Sequence, residues 1–154
     1  MEKRISPPRE YEELLDELVA EGGAGNGRAV FRTKQKAMMF AAALGAARGR
    51  RTPLKAKGTQ IRFDIFQNAM DDGFVRAVGA AASCDLTVLG PDRQEELATI
   101  FEEYACTGLE EMSDIFRTGT GSRLEIVVDL IMKTRLAPQE GDDVDEELLR
   151  DLMG

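Results

Sequence analysis

Gly90-Pro91-Asp92-Arg93-Gln94-Glu95-Glu96-Leu97-Ala98-Thr99-Ile100-Phe101-Glu102-Glu103-Tyr104 decides the fold class of this chain. Pro91 suits a first helical position, where no amide hydrogen is needed and φ is already set. Asp92, Glu95 and Glu96 suit the positive end of a helix. Leu97, Ile100, Phe101 and Tyr104 then recur at three and four residues, so one face of a helix is apolar and the other acidic. Gly108 is expected to end this helix, and a short one over Leu109–Arg117 carries Met112, Ile115 and Phe116. Phe101 to Phe116 therefore reads as a helical hairpin with Glu102, Glu103, Glu110 and Glu111 outside.

The same periodicity extends in both directions. Downstream, Thr118-Gly119-Thr120-Gly121 is a loop, and Ser122-Arg123-Leu124-Glu125 is a capping box opening a helix with Leu124, Val127, Val128 and Ile131 on its face. Upstream, Asp71 or Asp72 can cap a helix carrying Phe74, Val75, Val78 and Ala82, followed by Cys84 and the apolar turn Leu86–Leu89. Ile61, Phe63 and Ile65 alternate with polar residues as in a short strand, although Phe63, Phe66 and Met70 fit a helix equally. Thr33 caps a helix to about Ala47 with Met39, Phe40, Ala43, Leu44 and Ala47 on one face. Arg9–Glu21 forms another, with Ser6 as N-cap and Tyr11, Leu14, Leu15, Leu18 and Val19 apolar. The glycine run 22–27 is a linker and not a phosphate loop, because Gly-Lys-Ser/Thr is absent and the segment before it is helical. The expected fold is mainly α: one compact domain over 1–137, a bundle of about six helices with at most a short strand near Ile61–Ile65. Residues 138–154 are expected to be an acidic C-terminal tail or a short terminal helix, with Leu148, Leu149 and Leu152 on one side.

The chain has 154 residues, 43% hydrophobic and 31% charged, which is one ordinary domain. It has no histidine and no tryptophan, which removes imidazole chemistry and the usual zinc sites. The start lacks a signal peptide's apolar run and no stretch is a membrane span, so a cytoplasmic protein with no membrane partner is expected. The net charge of −8 conceals a basic segment, 28–62, whose ten cations meet no Asp or Glu; it carries +10 between flanks of −4 and −14. Such segregation favours contact with something anionic: nucleic acid, a partner protein, or this chain's own acidic parts. Arg48, Arg50, Arg51, Lys55 and Lys57, with Arg62 beyond, follow a helix C-terminus into a Pro- and Gly-containing loop. They read as an exposed, movable arm that could track a phosphate backbone electrostatically. No aromatic accompanies them for base stacking. In the C-terminal segment Glu140, Asp142, Asp143, Asp145, Glu146, Glu147 and Asp151 could compete with phosphate for that arm.

Phe31 and Thr33, then Phe40-Ala41-Ala42-Ala43-Leu44-Gly45, then Arg51, Pro53 and Leu54, Ile61 and Phe66, and Ile100-Phe101-Glu102-Glu103-Tyr104-Ala105 with Gly108-Leu109-Glu110 resemble one family. It is that of the small DNA phosphorothioation-associated proteins, specifically dnd system-associated protein 4, and the resemblance spans Phe31 to about Ile131. It implies a bacterial setting beside systems that replace a non-bridging phosphate oxygen of DNA by sulfur, or that defend against DNA lacking the mark. It supplies no catalytic residues. The chain departs from the family in having Cys106-Thr107 before Gly108 and in Phe74 where tyrosine is common.

An enzyme has little to work with here. A restriction-type nuclease needs a carboxylate two residues before a lysine, and no lysine has one. Glu102, Glu103, Glu110, Glu111 and Asp114 could gather magnesium if two helices faced each other, but a solvated acidic face is the simpler reading. Cys84 and Cys106 lack a cationic setting that would activate a thiolate, and read as small core or boundary residues. No catalytic residue, metal or cofactor is therefore assigned. The expected function is that of a non-catalytic accessory protein in a phosphorothioation-linked modification, restriction or phage-defence system, touching DNA or partner proteins through the basic arm. The alternatives are a protein-only adaptor and a ribbon-helix-helix-like reader with Gln60, Arg62 and Asp64 on one strand face. The sequence has no signature of oligomeric state.

Overall fold

The structure is a computed structural model and describes residues 4–19 and 29–136. The glycine linker, Arg28 and the acidic C-terminal segment therefore lie outside the described residues. In chain order come β1 (Arg4–Ile5), a 3-10 turn leading into α1 (Glu12–Val19), α2 (Lys34–Arg48), β2 (Ile61–Arg62), α3 (Phe63–Asn68) and α4 (Asp72–Ser83). Two 3-10 turns, Leu86–Leu89 and Pro91–Arg93, then lead into α5 (Gln94–Thr118), and α6 (Arg123–Leu136) follows. The fold is mainly α, as the periodicity predicts. β1 and β2 form a two-stranded antiparallel ribbon with Arg4 opposite Arg62 and Ile5 opposite Ile61.

The organising contact is between α2 and α5, where the two main chains touch. A Cβ placed on Gly108 would lie 1.9 Å from the Ala41 carbonyl oxygen, and one on Gly45 would lie 2.0 Å from that of Tyr104. Ala41 and Gly45 on one helix, and Tyr104 and Gly108 on the other, are each four residues apart, so the two smooth ridges face each other. This explains two differences from the sequence reading. Gly108 does not end a helix: α5 runs unbroken for 25 residues and the hairpin is absent, because this glycine serves close approach and not a turn. The buried face of α2 is likewise Ala37, Met38, Ala41, Ala42, Leu44 and Gly45, with Ala43 and Ala47 exposed. Small residues meet α5 and the larger Met39 and Phe40 pack at the rim.

Around this pair the core closes with Leu15 and Leu18 of α1, Phe66 of α3, Val75 of α4, and Phe101, Leu109 and Met112 of α5. Phe101 makes T-shaped contacts with two rings, Phe66 at 5.7 Å and Phe74 at 6.4 Å between centroids, both nearly perpendicular to it. Thr33 caps α2 by accepting from Lys36 N–H at 3.2 Å, and Gly49 closes it in the left-handed region at φ 65°. The Ser122 capping box forms in both directions, Glu125 N–H to Ser122 Oγ at 3.2 Å and Ser122 N–H to Glu125 at 3.4 Å. Asp71 occupies the N-cap position of α4 without capping it; its carboxylate instead accepts from Gln35 and Lys36 of α2. The Ile61–Ile65 ambiguity resolves as both structures in succession, two residues of strand and then α3. The face expected on α6 is also displaced: Val127 and Leu130 are buried while Leu124, Val128 and Ile131 are exposed.

Candidate functional site

The basic segment leaves α2 at Arg48 and runs along the acidic side of α5. Arg48 donates through Nε and Nη2 to both oxygens of Glu111, at 2.7 to 3.1 Å. Arg50 reaches Glu110 at 3.3 Å, Arg51 reaches Glu103 at 3.2 Å, and Lys57 lies 3.9 Å from Glu102. Between these pairs the backbone is fastened too: Thr52 N–H donates to the Glu103 carbonyl at 3.2 Å, and the hydroxyls of Thr52 and Thr107 share a bond of 2.7 Å. Four expected DNA contacts thus meet the four expected interface glutamates, one to one. The pattern follows from α5 being a single helix, since residues 103, 107, 110 and 111 fall on one stripe only if the helix continues through Gly108.

The second half of the segment is fastened to the N-terminal strand. Arg9 N–H donates to the Ala56 carbonyl at 3.0 Å, Gly58 N–H to that of Pro7 at 2.8 Å, and Thr59 N–H to the Glu12 carboxylate. A bridge pairs Pro8 with Lys57, extending the β1–β2 ribbon. The segment is therefore a laced edge and not a movable arm. Lys55 makes no ion pair among the described residues. Arg62 sits on β2 and pairs with Asp64 at the start of α3. Since β2 pairs with the chain's own β1 and Asp64 is helical, the strand face expected to carry Gln60, Arg62 and Asp64 does not form.

Glu102 corrects the expectation of a solvated acidic face most sharply. Only 5% of it is exposed, and its Oε1 accepts from Ser6 N–H at 3.2 Å. Ser6 is consequently no helix cap but a buried backbone donor. Burial raises the Glu102 pKa, against the opposing effects of the Ser6 amide and Lys57. Glu102 and Lys57 line a cleft of about 540 Å³ with Arg4, Gln60, Asp92 and Glu95, so cations and carboxylates share its walls. At the other end of the laced edge, bonding to Glu111 raises the Arg48 pKa. The surface pairs are each worth about 0–1 kcal/mol, so the lacing is collective and salt-sensitive.

The remaining chemistry is sparse. Cys106 is buried in α5, where burial and neighbouring glutamates push its pKa to about 11. Cys84, expected at the core or its boundary, is exposed at the left-handed C-cap of α4. Among the described residues no group of three His, Cys, Asp or Glu is arranged to hold a metal ion, and Glu103, Glu110 and Glu111 are engaged by arginine. No helix among them is long and apolar enough to cross a membrane.

Comparison with curated proteins finds no match, and neither does comparison with solved structures. A family model described as DNA sulphur modification system-associated protein 4 matches residues 4–149, a span that includes β1, the laced edge and the whole of α5. The chain accordingly belongs to the family of DNA sulphur modification system-associated protein 4.

Proposed function

We propose that this chain is a non-catalytic accessory protein of a DNA sulphur modification system that acts by docking a protein partner, without holding DNA itself. The one-to-one pairing of Arg48, Arg50, Arg51 and Lys57 with Glu111, Glu110, Glu103 and Glu102 carries this reading. Cations already facing carboxylates present little net field to phosphate, and the whole chain is at −8. The family's association with such a system supports partners drawn from it. The edge that mixes exposed arginines with half-buried glutamates suits a protein surface of matching alternating charge.

The test is recovery of the tagged full-length chain from its native host with and without nuclease. Partners retained after nuclease treatment support the adaptor reading. Their loss, together with DNA binding that falls steeply with salt, overturns it. DNA contact is the second reading, favoured by Lys55 and by the exposure of the pairs. In that case phosphate displaces carboxylate, and the triple substitution E103Q/E110Q/E111Q tightens binding. Each additional phosphate neutralised steepens the log–log salt slope by about 0.9.

A further inference from the structure

Of the four lacing pairs, Lys57–Glu102 is built differently from the rest. Lys57 Nζ lies 3.9 Å from Glu102 Oε2, beyond hydrogen-bond reach, whereas the three arginines stand 2.7 to 3.3 Å from their glutamates. The Glu102 side chain is also the most buried of the four carboxylates, 6% exposed against 14 to 43%, while that of Lys57 is 62% exposed. An ionised carboxylate offers about four acceptor sites. Among the described residues the one hydrogen bond to this carboxylate is the 3.2 Å bond from Ser6 N–H to Oε1. A buried carboxylate whose second oxygen is short of donors is destabilising, and a donor-rich cation offsets that cost.

The cleft beside it supplies the room. Its volume of about 540 Å³ is that of an ordinary ligand site, yet its lining is polar and contains no aromatic residue. Part of that lining is a stripe of α5, Glu95, Thr99 and Glu102, spaced by four and three residues and so on one side of the helix over about 10 Å. The rest comes from the β1–β2 ribbon and the chain leading into it, where the bridge to Pro8 holds the backbone of Lys57 and its exposed side chain is free to swing aside. With Asp92, three carboxylates meet the two cations Arg4 and Lys57. Asp92 and Glu95 stand at the amino end of α5, where an anion would otherwise be favoured. The balance of charge therefore opposes a phosphate or carboxylate ligand and favours a cation.

We propose that this cleft receives an arginine side chain of a protein partner, whose guanidinium donates to Glu102 Oε2 and displaces Lys57 from beside it. This occupant presupposes the adaptor reading above and supplies the chemistry of the partner. A guanidinium has five donors in a planar fork, stays charged, and anchors protein interfaces. The ammonium of Lys57 stands beside the same oxygen and does not reach it. Thr99 and Gln60 line the same cleft and offer acceptors to the remaining donors.

The experiment is an NMR titration of the isotope-labelled full-length chain with N-acetyl-arginine amide, read at the Ser6 and Thr99 amides. The expected result is a saturable shift with a Kd of about 1–10 mM, the scale of a single anchoring contact. The neutral isostere N-acetyl-citrulline amide binds at least about tenfold more weakly, and so does the arginine probe to E102Q, whose spectrum otherwise matches the parent's. K57Q tightens binding by up to about fivefold, because a competing cation is gone. No saturation by about 50 mM probe, equal affinity for the citrulline probe, or undiminished binding to E102Q overturns the assignment. A carboxyl kept neutral by burial gives that blank titration. Inorganic phosphate shifting the same amides also overturns it, since the cleft then holds an anion between Arg4 and Lys57. In the native host, E102Q loses nuclease-resistant partners that the parent retains; retention of them all means that the arginine is not a partner's. The titration contains neither DNA nor host proteins, so its failure strikes the cleft alone, and loss of every partner from the parent on nuclease treatment strikes the adaptor reading alone.

Discussion

Substituting Gly108 by alanine separates close helix approach from helix propensity, because the two predict opposite signs. In an ordinary helix interior the change stabilises by about 1 kcal/mol, since alanine restricts the unfolded chain. Here the new Cβ would stand 1.9 Å from the Ala41 carbonyl oxygen, 2.6 Å from its carbon and 2.8 Å from its Cα. All three are main-chain atoms of α2, and no rotamer change relieves them. The helices must separate by about 1 Å to restore ordinary contact, which loosens the core on both sides of the crossing. Overpacking of this kind costs about 3 kcal/mol at its upper end. The net loss is therefore about 2 kcal/mol, or roughly 6 °C in melting temperature for a domain of this size. Urea denaturation of G108A and of G45A, whose Cβ would stand 2.0 Å from the Tyr104 carbonyl oxygen, should give the same sign. Gly73 in α4 has nothing within 4 Å, so G73A should be neutral or stabilising. If G108A unfolds at higher urea than the parent, α2 and α5 are not in main-chain contact and the reasoning fails.

Two further outcomes concern the buried groups. Glu102 has a folded pKa raised by burial, so the folded state holds its proton after the unfolded state has released it. Its contribution to stability therefore declines as pH rises from the unfolded value near 4.3 through the higher folded one. E102Q, which keeps an acceptor for Ser6 N–H, should flatten that decline and be at least as stable as the parent at pH 7; a clear loss at pH 7 would show that the Lys57 pair dominates. For the cysteines, a thiol of pKa about 11 is some two hundred times less ionised at pH 8 than an ordinary one, so a disulfide reagent should modify Cys84 quickly and Cys106 only after unfolding. Two fast thiols in the native protein would contradict the burial of Cys106.

What is legible in the sequence is local. Thr33 and the Ser122–Glu125 box signal their helix starts through contacts three residues away, and both form as read. The acidic and apolar sides of α5 are likewise readable, since they depend only on its 3.6-residue period. What escapes depends on residues far apart in the chain. Gly108 looks like a terminator because a glycine used for close approach and one used for a turn are identical until the partner helix is known. Glu102 looks like one more solvated acid in a run of glutamates, and the partner that marks its burial, the Ser6 amide just after β1, lies far away in the chain. The charge asymmetry of 28–62 is plain, and the chain's own acidic parts stand among its candidate partners. Which carboxylates those are depends on α5 being one helix. Leu124 and Val128 read as core because the apolar arc of α6 covers about half of its circumference, and periodicity cannot say which part of that arc the body covers.

The bond between Ser6 and Glu102 joins positions 96 residues apart, and Ile5 beside it is fully buried. During synthesis at about 5–20 residues per second, the first strand leaves the ribosome roughly 5–20 s before its acceptor exists. Ile5 can meet Ile61 as soon as β2 is made, but the buried amide of Ser6 gains its carboxylate only when α5 arrives, so the ribbon forms before the group that anchors its end.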